Sequence, residues 1–288
     1  MRAVQNSILL VLRFAILFGV LSYATYWLWQ QRMPADTQGL SVEIVFQQTQ
    51  DDADCVLLRQ GEAVMMIDTG EEVDGGDIVA ALARRGIERI DLLILTHTDA
   101  DHIGGAAQVL EGVEVGRVIM PQYNKESARL EELRALLAVR EVPVTLPTRT
   151  RRYTVGEMKV LIYPPLEGHY NKDNNYSLAT LVTHGSVNMV FAGDADEKRL
   201  RELMNISWPN ADLYKVAHHG RASNFSGDFI RMLAPLYAVS TSRDSDEEIK
   251  QACKAVGAQL LYTGEGNVEF RSDGVTLRYF QNDQEEGA

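Results

Sequence analysis

The apolar positions of this chain fall into three patterns, and each predicts a different kind of element. The first is one long run, Ile8 to Trp29, with Arg13 its only charge and Tyr23, Tyr26, Trp27 and Trp29 gathered at its far end. That is the length a helix needs to cross a bilayer, closed by an aromatic belt. A cleaved signal peptide is the rival reading, because Arg2 supplies a basic start and Ser22-Tyr23-Ala24 a small-x-small site. The apolar run continues past that site, which favours an uncleaved anchor in the cytoplasmic membrane with the rest of the chain on its extracytoplasmic (periplasmic) side.

The second pattern is a series of short runs of strand length: Ser41 to Gln47, Asp54 to Arg59, Ala63 to Ile67, Leu92 to Leu95, Gly116 to Met120, Met158 to Tyr163, Ser177 to Thr183, Asn188 to Phe191, Leu213 to Ala217, Leu236 to Thr241 and Gln259 to Tyr262. A final hairpin turns at Ser272-Asp273-Gly274 and runs to Tyr279. Between these lie segments of helical period: Asp77 to Arg85, Ala106 to Leu110, Glu126 to Arg140, Glu197 to Met204 and Glu247 to Val256. In the third of these, Leu130, Leu133, Leu136 and Leu137 form one stripe. The expected organisation is an anchor over 1–32, a polar linker over 33–40, one α/β domain over 41–281 and an acidic tail over 282–288.

Charge narrows the function. The chain carries a net charge of −12, and from Met33 onward 25 basic residues face 40 acidic ones. Such a surface repels polyanions, so contact with nucleic acid would need locally placed cations. Arg149, Arg151 and Arg152 are the one dense basic run, as apt for a solvated hairpin as for an anionic ligand. Cys55 and Cys253 are too few for a disulfide framework and read as separately buried thiols.

Chemistry concentrates between Asp91 and Gly105. The buried-strand run there is followed by His97, Asp99, Asp101 and His102, four metal-capable side chains in six residues, and then by Gly104 and Gly105 before a helix. A helix cap needs one such residue; four converging on a strand-to-helix loop point to metal. Asp68 also ends a strand, where it can accept the second N–H of a ligand imidazole or make an Asx turn.

THTDADHIGG, residues 96 to 105, resembles the metal-binding signature of the metallo-β-lactamase superfamily in the variant with aspartate at its second position. That variant looks like the hydrolase domain of ComEC-type DNA-uptake proteins. IDTG (67–70), NNYSLATLV (174–182), FAGDAD (191–196) and KVAHHG (215–220) follow in the family's order. The resemblance implies a four-layer α/β/β/α sandwich, with the tail after Leu236 closing the second sheet and two divalent ions, Zn²⁺ or Mn²⁺, at one rim. It implies His97, Asp99 and Asp194 on one ion, and Asp101, His102, His218 and the shared Asp194 on the other.

The resemblance further implies catalytic roles for Asp101, for His219 near the substrate or behind a ligand, and for Lys215 as an anion contact, with a surface lysine the alternative for the last. Asn175 and Ser177 stand where most members supply a further histidine, and are expected at the substrate. His169, several residues away, is expected to be a loop histidine. Asp196 is expected to cap the following helix. The implied activity is hydrolysis of a phosphodiester, nucleic acid included, by a hydroxide held between two metals. A small ester, lactone or thioester is the alternative, as is a metal-binding module that no longer turns over.

Overall fold

The computed structural model describes residues 41–280 apart from 51 and 126. The predicted anchor, the linker and the acidic tail lie outside the described residues. Among those described, no helix is long and apolar enough to cross a membrane.

The chain runs β1 (Val42–Phe46), β2 (Val56–Gln60), β3 (Ala63–Ile67), α1 (Gly75–Arg84), β4 (Arg89–Ile90), β5 (Leu92–Ile94), α2 (Ala100–Ile103), α3 (Ala106–Gly112), β6 (Glu114–Val115), β7 (Val118–Ile119), α4 (Ala128–Val139) and β8 (Val144–Thr145). It continues through β9 (Arg151–Val155), β10 (Met158–Tyr163), β11 (Ala179–His184), β12 (Val187–Phe191), α5 (Glu197–Leu203), β13 (Leu213–Lys215), α6 (Ser226–Leu233), β14 (Tyr237–Ser240), α7 (Glu247–Val256), β15 (Gln259–Tyr262), β16 (Val268–Ser272) and β17 (Leu277–Phe280).

β4 and β6 pair in a two-stranded ribbon of their own, and two large sheets result, ordered β17-β16-β1-β2-β3-β5-β7-β8 and β15-β14-β13-β12-β11-β10-β9. Alternation along the strands explains how they stack. Val42, Ile44 and Phe46 of β1, Met65 and Ile67 of β3, and Leu92 and Ile94 of β5 face Val160, Ile162, Met189, Phe191 and Leu213 of the second sheet in one apolar layer. The alternate residues Val64, Met66 and Leu93 pack on Ile78, Leu82, Val109, Leu130 and Leu137 of the helices outside the first sheet. On the far side Val190 and Tyr214 pack on Leu200, Phe229, Ile230 and Ile249. The four layers are helices, sheet, sheet, helices. This is the expected sandwich.

In two places the structure departs from expectation. The terminal hairpin β16–β17 belongs to the first sheet: Val42 opposes Ser272 and Phe46 opposes Val268. The reason is β1, whose outer backbone groups would otherwise form an open edge; β16 pairs them, and its Phe270 extends the apolar layer, its ring 6.1 Å from that of Phe46. In addition, α6 was not expected, because Gly227 and Asp228 interrupt its apolar stripe of Phe229, Ile230 and Leu233. The arginine run falls on the β9–β10 hairpin at the edge of the second sheet, with Arg149 and Arg152 exposed.

The parallel pairs set the site. β3 and β5 run side by side, as do β12 and β13, and their carboxyl ends emerge at one rim. Loops leaving those ends carry Asp68, His97 to His102, Asp194 and His218-His219. Carboxyl ends of parallel strands are where open α/β sheets gather ligand-binding groups.

Candidate metal centre

The first sheet contributes a loop held by its own hydrogen bonds. Asp68 takes a left-handed backbone (φ 60), which aspartate tolerates better than most residues. Its Oδ1 accepts from the Thr96 amide and its Oδ2 from the Thr96 hydroxyl, both at 2.7 Å. The same Oδ2 lies 2.8 Å from His102 Nδ1, which leaves His102 Nε2 to face the rim. Gly104 is obligatory in this packing, because a Cβ there would sit 2.5 Å from the Ala100 carbonyl oxygen and the Glu72 nitrogen.

From the second sheet comes Asp194, whose amide donates to Ser177 Oγ at 3.1 Å. Gly193 before it has φ 53, and a Cβ would meet Thr96 at 2.9 Å, so the two loops interlock across the sandwich. Asp194 Oδ1 lies 3.2 Å from His102 Nε2, and its Oδ2 lies 2.9 Å from His219 Nε2. His219 Nε2 is also 3.0 Å from Asp101 Oδ2. Asp101, His102, Asp194 and His219 therefore offer four ligand atoms within 4.8 Å of one another.

The structure places His219, not His218, in that cluster. Both residues, like Gly220 after them, have left-handed backbones, φ 54 for His218 and 52 for His219. Each costs about 1–3 kcal/mol unless the surroundings enforce it. The kink turns the neighbouring rings apart, 6.3 Å between centroids and 65° between planes. His218 faces a shallow groove beside Asp99 and Lys172 instead.

Behind the cluster lies a group that the local sequence pattern did not reveal. His219 Nδ1 lies 3.0 Å from Thr241 Oγ1 and 3.2 Å from Asp54 Oδ1, and the Thr241 hydroxyl donates to Asp54 at 2.5 Å. Asp54 also pairs with Lys215, whose ammonium donates to the Gly193 carbonyl at 3.1 Å and lies 3.4 Å from Asp194 Oδ1. Lys215 is 1% exposed, so it is a buried counter-charge and not a surface lysine.

His97 and Asp99 form a looser pair, Nε2 to Oδ2 3.6 Å, with the His97 ring 4.0 Å from that of His102. Asn175 and Ser177 are 3% and 0% exposed. The first accepts from the Arg199 amide and the second holds the Asp194 amide, so both brace the site from within and neither side chain reaches open solvent. His169 is exposed on its loop. Asp196 caps α5, its side chain accepting from the Glu197 amide.

The donor set fits divalent ions. Nε2 of His97, His102 and His219 are all buried without a well-aligned hydrogen bond, and the nearest groups to the last two are the Asp194 and Asp101 carboxylates, an arrangement that is costly unless a cation or proton lies between them. Without a cation, protons take that place. Burial works against a charge on His102 and His219, yet the carboxylates of Asp194 and Asp54, joined by Asp68 at His102 and Asp101 at His219, raise both, His219 to about 10. Burial likewise opposes the charge on Asp194, and His219, His102 and Lys215 override it, holding its carboxyl well below the usual range. His218 is lowered, chiefly by burial and with the positive charges of His219, Arg221 and Lys215 adding to it, against the pull of Asp194.

This fold and rim agree with the sequence comparisons. The profile of the metallo-beta-lactamase superfamily matches residues 49–239, and the chain belongs to that superfamily. Its resemblance to ComEC-type proteins is carried by ComE operon protein 3 of Bacillus subtilis (29% identical over 214 residues, 70% of this chain and 26% of that protein). Competence protein ComA of Neisseria gonorrhoeae adds to it (25% over 221 residues, 72% and 29%). The chain thus spans between a quarter and a third of the length of these relatives. Among solved structures, the metallo-beta-lactamase fold protein YhfI of Bacillus subtilis superposes with a TM-score of 0.56 at 14% identity, covering 81% of this chain and all of that one.

Proposed function

We propose that this chain is a metal-dependent phosphodiesterase, anchored to the cytoplasmic membrane by Ile8 to Trp29 and facing the extracytoplasmic side. The observation that carries this reading is the convergence of Asp101, His102, Asp194 and His219 at one rim, with both imidazole Nε2 atoms turned towards the carboxylates. Those four residues would hold one divalent ion, and His97 and Asp99 with Asp194 a second. A bound pair of divalent ions supplies Lewis acidity and brings the pKa of a water towards 7. Zn²⁺ and Mn²⁺ both suit a set this rich in carboxylate oxygen.

The chain's own groups do the rest. Asp68 and Asp54 fix the His102 and His219 rings from behind, so neither imidazole has to reorganise during a reaction. Lys215 offsets the charge of Asp194 and Asp54 from inside the fold. Asp101, 29% exposed, is the member of the cluster whose carboxylate reaches solvent, and it is placed to take a proton from an attacking water at the rim.

Nuclease activity is one form of this chemistry, supported by the likeness to competence proteins. The acidic surface favours a second form, cleavage of a small or lipid-linked phosphodiester. The full chain loaded with Mn²⁺ or Zn²⁺ is to be assayed on bis-p-nitrophenyl phosphate beside labelled single- and double-stranded DNA. Turnover that disappears in Asp101→Ala is expected. Absence of turnover on phosphodiesters, phosphomonoesters and esters alike would overturn the enzyme reading.

A further inference from the structure

The buried groups behind His219 are joined by hydrogen bonds that run in one direction. Asp54 lies just before β2, Lys215 ends β13 and Thr241 follows β14, and all three side chains are buried together with that of His219. The oxygens of Asp54 are divided between neighbours. Oδ2 pairs with the Lys215 ammonium, and Oδ1 accepts from the Thr241 hydroxyl at 2.5 Å. A carboxylate only accepts, so the single hydroxyl proton of Thr241 is committed to Asp54. Towards His219 Nδ1, 3.0 Å away, the Thr241 oxygen can then offer nothing but a lone pair. Asp54 Oδ1, 3.2 Å from the same nitrogen, is likewise an acceptor. Nδ1 must therefore carry a proton, which leaves the lone pair of the neutral imidazole on Nε2, at the rim.

His102 reaches the same tautomer by a shorter route, with Asp68 Oδ2 2.8 Å from its Nδ1. What sets His219 apart is the cation at the far end of its chain. The Lys215 ammonium also donates to the Gly193 carbonyl at 3.1 Å, which holds it in place and requires an acceptor at the Oδ2 position of residue 54. The backbone of the strained turn is gripped from the same side. The Ser240 hydroxyl donates to the His219 carbonyl at 2.8 Å, and the Asp246 amide donates to the Gly220 carbonyl at 2.9 Å.

We infer that Thr241, Asp54 and Lys215 form a tautomer-setting relay, positioning residues that keep a proton on His219 Nδ1 and so present Nε2 as a lone pair for metal. The inference rests on the metal-centre reading above and adds to it the groups that determine whether His219 can ligate at all.

Reversing the direction of the chain tests this. Asp54→Asn keeps the shape and supplies an amide; Lys215 draws the amide oxygen to itself, so the NH₂ faces Thr241 and His219 and drives Nδ1 to accept. In the full chain labelled with ¹⁵N-histidine and loaded with Zn²⁺, two-bond ¹⁵N–¹H spectra read the tautomer, the His219 signal being the one lost in His219→Asn. The parent chain is expected to show Nδ1 protonated and Nε2 ligated, and Asp54→Asn to show the proton on Nε2 with Zn²⁺ affinity about 100-fold lower by competition with a chelator. In Asp54→Asn/Lys215→Met the amide is free to turn its oxygen to Thr241 and His219, so the proton should return to Nδ1. Charge alone would alter affinity in these variants without moving that proton. Thr241→Val, which changes no charge, should weaken Zn²⁺ about tenfold, and Thr241→Ser should restore it to within about threefold of the parent. Should the Asp54 variants fail to fold, the parent spectrum and the Thr241 pair still decide.

A parent spectrum with the proton on Nε2, an Asp54→Asn chain that keeps it on Nδ1, or Thr241→Val binding as tightly as the parent would each overturn the relay. No Zn²⁺ bound by the unaltered chain would overturn the metal centre and the relay together. The expected spectra and affinities without turnover of any phosphodiester would uphold the relay and overturn the phosphodiesterase reading instead.

Discussion

The two halves of the candidate metal centre are built to different standards. Asp101, His102, Asp194 and His219 are backed by a buried set: Asp68 behind His102, Asp54 and Thr241 behind His219, and Lys215 behind Asp194. The other half has His97, buried but with only the Thr96 hydroxyl near its Nδ1 at 3.3 Å, and Asp99, whose side chain is 37% exposed. Ligands whose far atoms are held bind metal more tightly than ligands that must order themselves. On the two-metal reading proposed above, the difference predicts unequal ions, one resident and one readily exchanged.

On the proposed assignment Asp194 would serve both halves, so its loss is expected to have the largest effect. Asp194→Ala should lower activity about a thousandfold or more and reduce metal content on native mass spectrometry. Unchanged stoichiometry would break the comparison, because it would mean that the two halves share no ligand. Next comes Asp68→Ala, expected to weaken the tighter ion by about 10–100-fold, measured by competition with a chelator. Asp99→Ala should release the weaker ion alone, leaving one ion per chain with a reduced rate. If it removes both, the halves are one cooperative unit.

Protons probe the backed half in a subtler way. In the metal-free chain the neighbouring carboxylates raise His219 from 6.5 to about 10 in the folded state. A group whose pKa rises on folding contributes stability in full below its unfolded pKa, and that contribution is lost as pH climbs through the folded one. The Tm gap between the metal-stripped parent chain and His219→Asn should therefore be widest below pH 6.5 and close towards pH 10. A gap that widens with pH would mean that no carboxylates hold the ring.

How much of this was legible depends on how far apart in the chain the partners stand. The loop from His97 to His102 could be found because four ligand types crowd one strand-to-helix connection, and the sandwich because strand and helix periods alternate cleanly. Asp54 could not: it precedes an ordinary strand, and it meets Thr241 187 residues later only because β2 and β14 belong to sheets that face each other. His218 and His219 are equivalent in composition, and the choice between them is made by two left-handed backbone angles. The sheet joined by β16–β17 was decided by the open backbone edge of β1, a property of the assembled layers and not of any local segment.

The smallest predicted effect bears on whether the looser half recruits a further nitrogen. His169 is the available histidine on the loop before Asn174, and a swing of that loop would bring an imidazole towards His97 and Asp99. Its neighbours are pinned against such a swing. The Gly168 carbonyl accepts from Asn124 Nδ2 at 2.5 Å, and the Tyr170 amide donates to the Tyr176 hydroxyl at 3.1 Å. The buried Tyr170 side chain also donates to Glu202. Moving residue 169 by several ångströms would break these bonds and expose that ring, at a cost beyond the gain from one ligand to a labile ion. His169→Ala is therefore expected to keep both ions and to change the rate by no more than about twofold, the range of an exposed substitution away from special features. Loss of one ion on mass spectrometry would show instead that the weaker half completes itself by moving this loop, and its looseness would then reflect a site that closes only around metal.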